Sequence, residues 1–457
     1  MRTRRLSDVA AAIGGRLMGP DSDVSSVAID SREVEPGALF VAIRGERSDG
    51  HAFVEEAAAR GASGAIVERP SSDMPAIVVD DSARALLDLA ADERASLAAT
   101  VVGITGSTGK TTTKDLTAAV LSGRFAVRAS PASFNNEVGV PLTILGADER
   151  TEALVCEMGS RGIGHIAMLC AVARPNIGIV TNVGVAHLEL FGSRENVVQA
   201  KGELVEALPD DGVAILNADD AAVRSYSART RARAVTFGFA PDADVRAIEV
   251  SLDNEARASF FLAIDGERER VELSVAGEHM VTNALAAAAC GAALGVTPAE
   301  TASALKGARV SAWRMETFVT NDGVRVINDA YNANPHSMEA ALQTARVLAR
   351  DSRLIVVLGH MAELGPISEE EHVRVGELVA RLEVDRLLTV GAEARDMQRA
   401  AVREGLAMRD VAHLDTADEA LDDLRAHVRP EDVVLIKASR VAGLERIAEA
   451  LRAEGTP

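Results

Sequence analysis

Residues Gly103 to Lys114 read G-I-T-G-S-T-G-K-T-T-T-K, directly after the apolar run Thr100-Val101-Val102. An apolar strand that enters a glycine-rich turn, followed by a helix opened by Lys110 and a run of threonines, constrains the chain more than any other segment. Backbone N–H groups of such a turn, with the positive end of the helix dipole, make an anion cradle sized for a phosphate chain. Thr105, Gly106, Ser107, Thr108, Gly109 and Thr112 would line that cradle. Lys110 would reach the outer phosphates, and the Thr111 hydroxyl would face a Mg²⁺ ion. Ile104 stands where a G-x-x-x-x-G-K pattern needs glycine, so the loop departs from that of generic GTPases and motors.

A length of 457 residues predicts about three domains, and the 47% hydrophobic content supplies ample core. No apolar run approaches the roughly 20 residues that cross a bilayer. Met1-Arg2-Thr3-Arg4-Arg5 is basic but leads into Leu6-Ser7-Asp8-Val9, not into a signal-peptide core. Cys156, Cys170 and Cys290 lack metal-like spacing and read as buried thiols of a reducing, cytoplasmic setting. A net charge of −20 argues against a nucleic-acid surface. Anions can still bind where local cations outweigh that field. Only five of the 48 Lys and Arg residues are lysines: Lys110, Lys114, Lys201, Lys306 and Lys437. Lys110, Lys201 and Lys437 sit in motif-like settings, where a primary amine is the reason to keep lysine. Lys114 and Lys306 read as leftover surface lysines.

Three α/β units follow from the pattern, with limits at 1–84, 85–312 and 313–457. Short strands at Ala38–Ile43, Ala65–Val67 and Ala76–Val79 and a helix ended by Gly61 make the first. Ser82 is the expected cap of a helix leading to the phosphate-loop strand. From Thr100 to about Val310 strands and helices alternate, as in a mainly parallel sheet covered on both faces. Polar strands between Asp244 and Val275 predict an antiparallel edge. The third unit begins near Trp313, with Asn321-Asp322-Gly323 as a hairpin turn.

Residues with chemical potential follow the apolar strands of the central unit, where open parallel sheets bind ligands. Glu157 ends the strand Ala153–Cys156 and is either a Mg²⁺ ligand or a helix cap. His187 is a second ligand or a loop histidine. Lys201 lies on a helix among apolar and acidic neighbours. A buried amine there has a depressed pKa and can take up CO₂ to form an anionic carbamate; a salt-bridged lysine is the alternative. Asn217-Ala218-Asp219-Asp220 reads as a helix cap, since a guanine-reading box needs lysine at Ala218.

Taken together, these segments resemble the Mur ligase family, ATP-dependent amide ligases of peptidoglycan precursors. The T-G-S-T-G-K-T-T loop, Glu157-Met158-Gly159, the T-N-V-G-x-x-H segment, Lys201-Gly202-Glu203 and Gly277-Glu278-His279-Met280-Val281-Thr282-Asn283 match in order. Three further segments are similar to the branch that joins D-alanyl-D-alanine to UDP-N-acetylmuramoyl-tripeptide. They are Ser133–Thr143 (S-F-N-N-E-V-G-V-P-L-T), Asn328–Pro335 (N-D-A-Y-N-A-N-P) and Leu358–Gly365 (L-G-H-M-A-E-L-G). Asp30-Ser31-Arg32 and Asp49-Gly50-His51 are similar to the family's uridine-diphosphate module.

The resemblance implies a small N-terminal nucleotide-sugar module, a central P-loop-type domain and a Rossmann-like C-terminal domain, in a monomer with small-molecule substrates. It implies that the tripeptide carboxylate attacks the γ-phosphate of ATP and that the dipeptide amine then displaces phosphate from the acyl phosphate. By position, Thr111 and Glu157 would hold one Mg²⁺, and His187 with a carbamylated Lys201 the second. His279 and Asn283 would meet adenine. Arg314 and Asp329 would close over the nucleotide from the third domain. Asn332, Asn334, Tyr331 and Lys437 would line the cleft there, Asn135 and Asn136 would face substrate, and Ser31 and Arg32 the uridine nucleotide. His360, Ala438 and Ser133 depart from the family's usual aspartate, glycine and asparagine. The sister ligase adding the third amino acid is the nearest alternative, but its D-N-P-R segment is not present. A P-loop switch predicts a guanine box or an arginine-finger surface, and the chain offers neither.

Overall fold

The computed structural model describes residues 1–45, 48–70, 74–185 and 188–453. Three sheets organise it. Strands Arg16–Met18, Ala76–Val78, Gly64–Val67, Ala38–Val41 and Ser26–Ala28 lie side by side in the first, parallel apart from the antiparallel edge Arg16–Met18. The central sheet has nine strands. Thr100–Thr105 lies between Ala153–Glu157 and Ile177–Val180, and Val213–Asn217 and Arg233–Gly238 continue the parallel run. Because the chain leaves Thr100–Thr105 first to one side and then to the other, the strand order reverses there, and a crevice opens at the carboxyl ends. The glycine loop, Glu157 and Thr181 all emerge into that crevice.

The expected antiparallel edge is present as Val245–Leu252, Arg257–Ile264 and Glu267–Ala276. The third sheet orders Glu316–Val319, Arg325–Asn328, Val433–Lys437, Leu354–Gly359, Arg386–Val390 and Val411–Leu414, parallel beyond the hairpin at 321–323. Its carboxyl ends, carrying Asp329 and Lys437, face the central crevice.

Helix Ser82–Ser96 corrects two expectations. Its cap is Asp81, whose carboxylate accepts from the Arg84 N–H at 2.9 Å. Ser82 instead donates its hydroxyl to the Ala42 carbonyl at 2.6 Å, tying the helix to the first sheet. The division expected after residue 84 also falls inside this helix. Leu86 and Leu89 pack in one cluster with Leu39 and Ile66 of the first sheet and Val101 and Leu154 of the central one. Apolar burial is non-directional, so a helix with two buried faces joins two units into one core. A second cluster runs from the central helix (Met280, Ala284) to the third domain (Met338, Ala341, Leu342).

Candidate active site

A cleft of about 750 Å³ lies between the central and third domains, lined by the glycine loop, Glu157, Lys201, Asn283 and the segment around Asp329. The loop has the form its sequence predicts. Gly106 (φ 149°) and Gly109 (φ 78°) take backbone conformations that side chains avoid, and helix Lys110–Ser122 starts at Gly109. Lys110 folds back so that Nζ donates to the Gly106 carbonyl at 2.8 Å. Burial lowers its pKa, the Glu157 charge opposes that shift, and Arg314 adds to it.

The next strand end props this loop. Asn182 accepts from Thr108 N–H at 2.9 Å through Oδ1 and donates to Thr108 Oγ1 at 2.7 Å, while Thr181 Oγ1 donates to the Thr108 carbonyl at 2.6 Å. Asp220 caps helix Ala221–Arg224, as expected, and its other oxygen accepts from Val183 N–H at 2.7 Å. The T-N-V-G segment therefore does structural work that its sequence reading, centred on His187, passed over. His187 itself lies outside the described residues.

Glu157 is 1% exposed at the end of its strand. Its Oε1 accepts from Asn135 Nδ2 at 2.8 Å, and its Oε2 is buried with no partner among the described residues. An orphaned carboxylate oxygen costs too much to bury unless a cation or donor arrives. The helix-cap alternative does not account for it. Lys201 is 3% exposed, and no described oxygen accepts from it. Burial, with Lys110 nearby, holds its pKa well below the ordinary lysine value, so the amine is disposed to be neutral. Among the described residues no group of three or more His, Cys, Asp or Glu side chains is arranged for a metal. The donors that fit a hard divalent ion are the Glu157 oxygen, the Thr111 hydroxyl and, once carbamylated, Lys201.

The third domain completes the cleft. Arg314 Nη2 donates to Thr111 Oγ1 at 3.1 Å, so the closing arginine already reaches the loop. Its guanidinium lies over the Tyr331 ring at 4.2 Å, and its Nε is buried without a partner among the described residues. Lys437 is 1% exposed and donates to Asp329 Oδ2 at 2.5 Å and to the Asn332 carbonyl at 2.9 Å. It thus braces the 329–332 turn as well as lining the cleft. Asn334 caps helix Pro335–Ala349 through a reciprocal bond with Ser337. Asn136 likewise spends its oxygen on Gly139 N–H at 2.9 Å.

Asn283 sits 7% exposed against Gly109, where a Cβ would come within 2.4 Å of its Oδ1. His279 lines the cleft, and burial pushes its pKa down to about 4. Because the unfolded imidazole takes a proton near 6.5 and the folded one does not until about 4, its contribution to stability is present above pH 6.5 and falls through that window. Thermal midpoints measured from pH 7.5 to 4.5 should therefore drop more steeply for the native chain than for His279→Gln. Parallel curves for the two would contradict this.

Ser31 and Arg32 do not line this cleft. Ser31 Oγ donates to Glu56 at 2.9 Å, and Arg32 pairs with Asp30 at 2.6 Å on the first domain. Lys114 corrects the surface reading: it is 2% exposed and held by two carbonyls and the Asp115 carboxylate, whereas Lys306 is a surface lysine paired with Glu272 at 3.1 Å. Arg161, Arg194 and His336 line the cleft and were missed. Arg161 follows Glu157 by four residues and His336 follows Pro335, so nearness to motifs was the available signal. Arg194 offered none. The three cysteines are buried as expected, and burial raises each thiol to about 12.

Comparison with known proteins adds to this geometry. A family model described as the Mur ligase middle domain matches residues 104–291, one described as the Mur ligase glutamate ligase domain matches 313–440, and one described as the Mur ligase family catalytic domain matches 23–94. The sequence is 44% identical to the UDP-N-acetylmuramoyl-tripeptide--D-alanyl-D-alanine ligase of Mycobacterium tuberculosis, over 94% of this chain and 92% of that one. The fold is similar to that of MurF from Acinetobacter baumannii, with a TM-score of 0.87, 31% identity and coverage of 99% of this chain and 100% of that one. It is also similar to the MurF ligase from Thermotoga maritima in complex with ADP, with a TM-score of 0.80, 30% identity and coverage of 94% and 98%.

Proposed function

The chain belongs to the Mur ligase family, and from that premise we propose that it joins D-alanyl-D-alanine to UDP-N-acetylmuramoyl-tripeptide with conversion of ATP to ADP and phosphate. The observation that carries this reading is the facing of the phosphate loop and the Asp329–Asn334 segment across one cleft. A phosphoryl donor and an incoming amine can meet there around a single carboxylate.

A carboxylate repels nucleophiles and has no good leaving group, so it must be activated. Its oxygen attacks the γ-phosphorus, the bond to ADP breaks, and an acyl phosphate forms. The dipeptide amine then attacks the acyl carbon, phosphate departs, and the amine proton is released. Lys110 and the loop N–H groups would bind the transferred phosphoryl and offset its charge, with Arg314 approaching from the opposite side. Closure of the third domain excludes water that would hydrolyse the acyl phosphate.

Magnesium would supply further charge neutralisation, held by Thr111 and Glu157, with a second ion at a carbamylated Lys201 and His187. The buried Glu157 oxygen, without a partner among the described residues, and the depressed Lys201 amine support that assignment. His279 and Asn283 are assigned to the adenine side. Asn135, Asn136, Tyr331, Asn332, Asn334 and Lys437 are assigned to the peptide side, and Ser31 and Arg32 to the uridine nucleotide. Both walls of the cleft come from one chain, which supports action as a monomer. Three buried thiols and nucleotide-linked substrates support a cytoplasmic setting.

Phosphate release should require UDP-N-acetylmuramoyl-tripeptide and D-alanyl-D-alanine together. ATP hydrolysis indifferent to both would instead favour a nucleotide switch. Activity with UDP-N-acetylmuramoyl-dipeptide and a diamino acid would favour the sister ligase.

A further inference from the structure

Lys114 is a buried lysine on helix Lys110–Ser122 for which the reaction above has no task. The residue is 2% exposed, and its ammonium donates to the carbonyls of Ser130 at 2.8 Å and Ala132 at 2.7 Å and pairs with the Asp115 carboxylate at 2.8 Å. Two of its three donors go to the carbonyls, and the Asp115 carboxylate pairs with the charge. Arginine, whose donors are spread over a planar fork, cannot converge on the same point. That explains a buried lysine in a chain that otherwise uses arginine.

The two carbonyls flank a turn in which Ala132 has φ 43°, a left-handed conformation that alanine resists. Lys114 pins both sides of it. The segment beyond is laid against the end of the Glu157 strand at three points. Glu157 N–H donates to Ser130 Oγ at 3.1 Å, Asn135 Nδ2 donates to Glu157 Oε1 at 2.8 Å, and Gly159 N–H donates to the Asn135 carbonyl at 2.7 Å. One carboxylate oxygen is thereby engaged, and the other is buried with no partner among the described residues, on a residue that lines the cleft.

We propose that Lys114 is a positioning residue: by pinning the 130–135 turn it makes Asn135 hold one oxygen of Glu157, so that the other is presented to a divalent ion. This rests on the reading of Glu157 as an ion ligand. Groups that orient a metal ligand are worth about 10–100-fold in metal affinity.

The test is Mn²⁺ titration of the ADP-bound chain, with free Mn²⁺ counted by electron paramagnetic resonance. Lys114→Met should weaken Mn²⁺ by about tenfold, with ADP affinity measured in EDTA unchanged. Asn135→Ala should match it, and the double variant should be no weaker than the poorer single one, because both remove the same support. Lys114→Arg keeps the buried charge and so guards against misfolding; it should also fail to restore affinity. Native Mn²⁺ affinity in either folded Lys114 variant, or additive losses in the double variant, overturns the proposal. If the unsubstituted chain with ADP binds no Mn²⁺, the ligand reading of Glu157 falls, and this inference with it.

Discussion

Lys201→Arg should lower turnover on the order of 10³-fold while leaving the fold intact. The amine is 3% exposed, and burial together with the Lys110 charge disfavours its ammonium form. A neutral amine can add to CO₂ and become an anion; a guanidinium stays cationic at any working pH and cannot. The substitution therefore replaces a potential negative ligand with a fixed positive charge beside Lys110. Labelled bicarbonate should give a carbamate carbon resonance in the native chain that the variant lacks. Retention of more than a tenth of the native turnover by the variant would refute the assignment.

Gly106→Ala should cost about 10²-fold or more in kcat/KM, with most of the loss in nucleotide affinity. A Cβ at this position would sit 1.8 Å from Thr181 Oγ1 and 3.2 Å from the Asn182 N atom. Thr181 is 1% exposed and bonded to Thr108, so it has no room to turn aside. The loop itself must shift, carrying Thr108 off its Asn182 supports and moving the N–H cradle away from the phosphates. Calorimetric titration with ADP would detect the change, and native affinity would show that the loop adapts without loss.

The acidic surface and the anion-binding cleft are reconciled by placement. The chain carries −20 overall, yet Lys110, Arg161, Arg194 and Arg314 converge on one cleft. At cleft distances a few cations govern the local field, while distant surface carboxylates are screened within about 10 Å. Substrate binding should therefore depend less on ionic strength than the net charge suggests.

What the order of residues determined by itself was local. The strand–glycine–lysine run specified a phosphate loop because its turn needs positive φ at Gly106 and Gly109, and those glycines are neighbours in the chain. Strand and helix alternation specified the parallel sheets, and the polar run after Asp244 specified the antiparallel edge, because each is a matter of side-chain period over a few residues. The family likeness then located most of the cleft. Tertiary structure alone decided which side chains are spent on each other. Arg314 reaches Thr111 across 203 residues, Lys437 reaches Asp329 across 108, and Asn182 supports Thr108 across 74. The same holds for Lys114, legible as a surface lysine until two carbonyls and a carboxylate hold it, and for helix Ser82–Ser96, which belongs to two cores at once. Backbone preference acts between adjacent residues and can be read in order; burial and hydrogen bonding act between whatever the packed chain brings together, and they are settled only when it has folded.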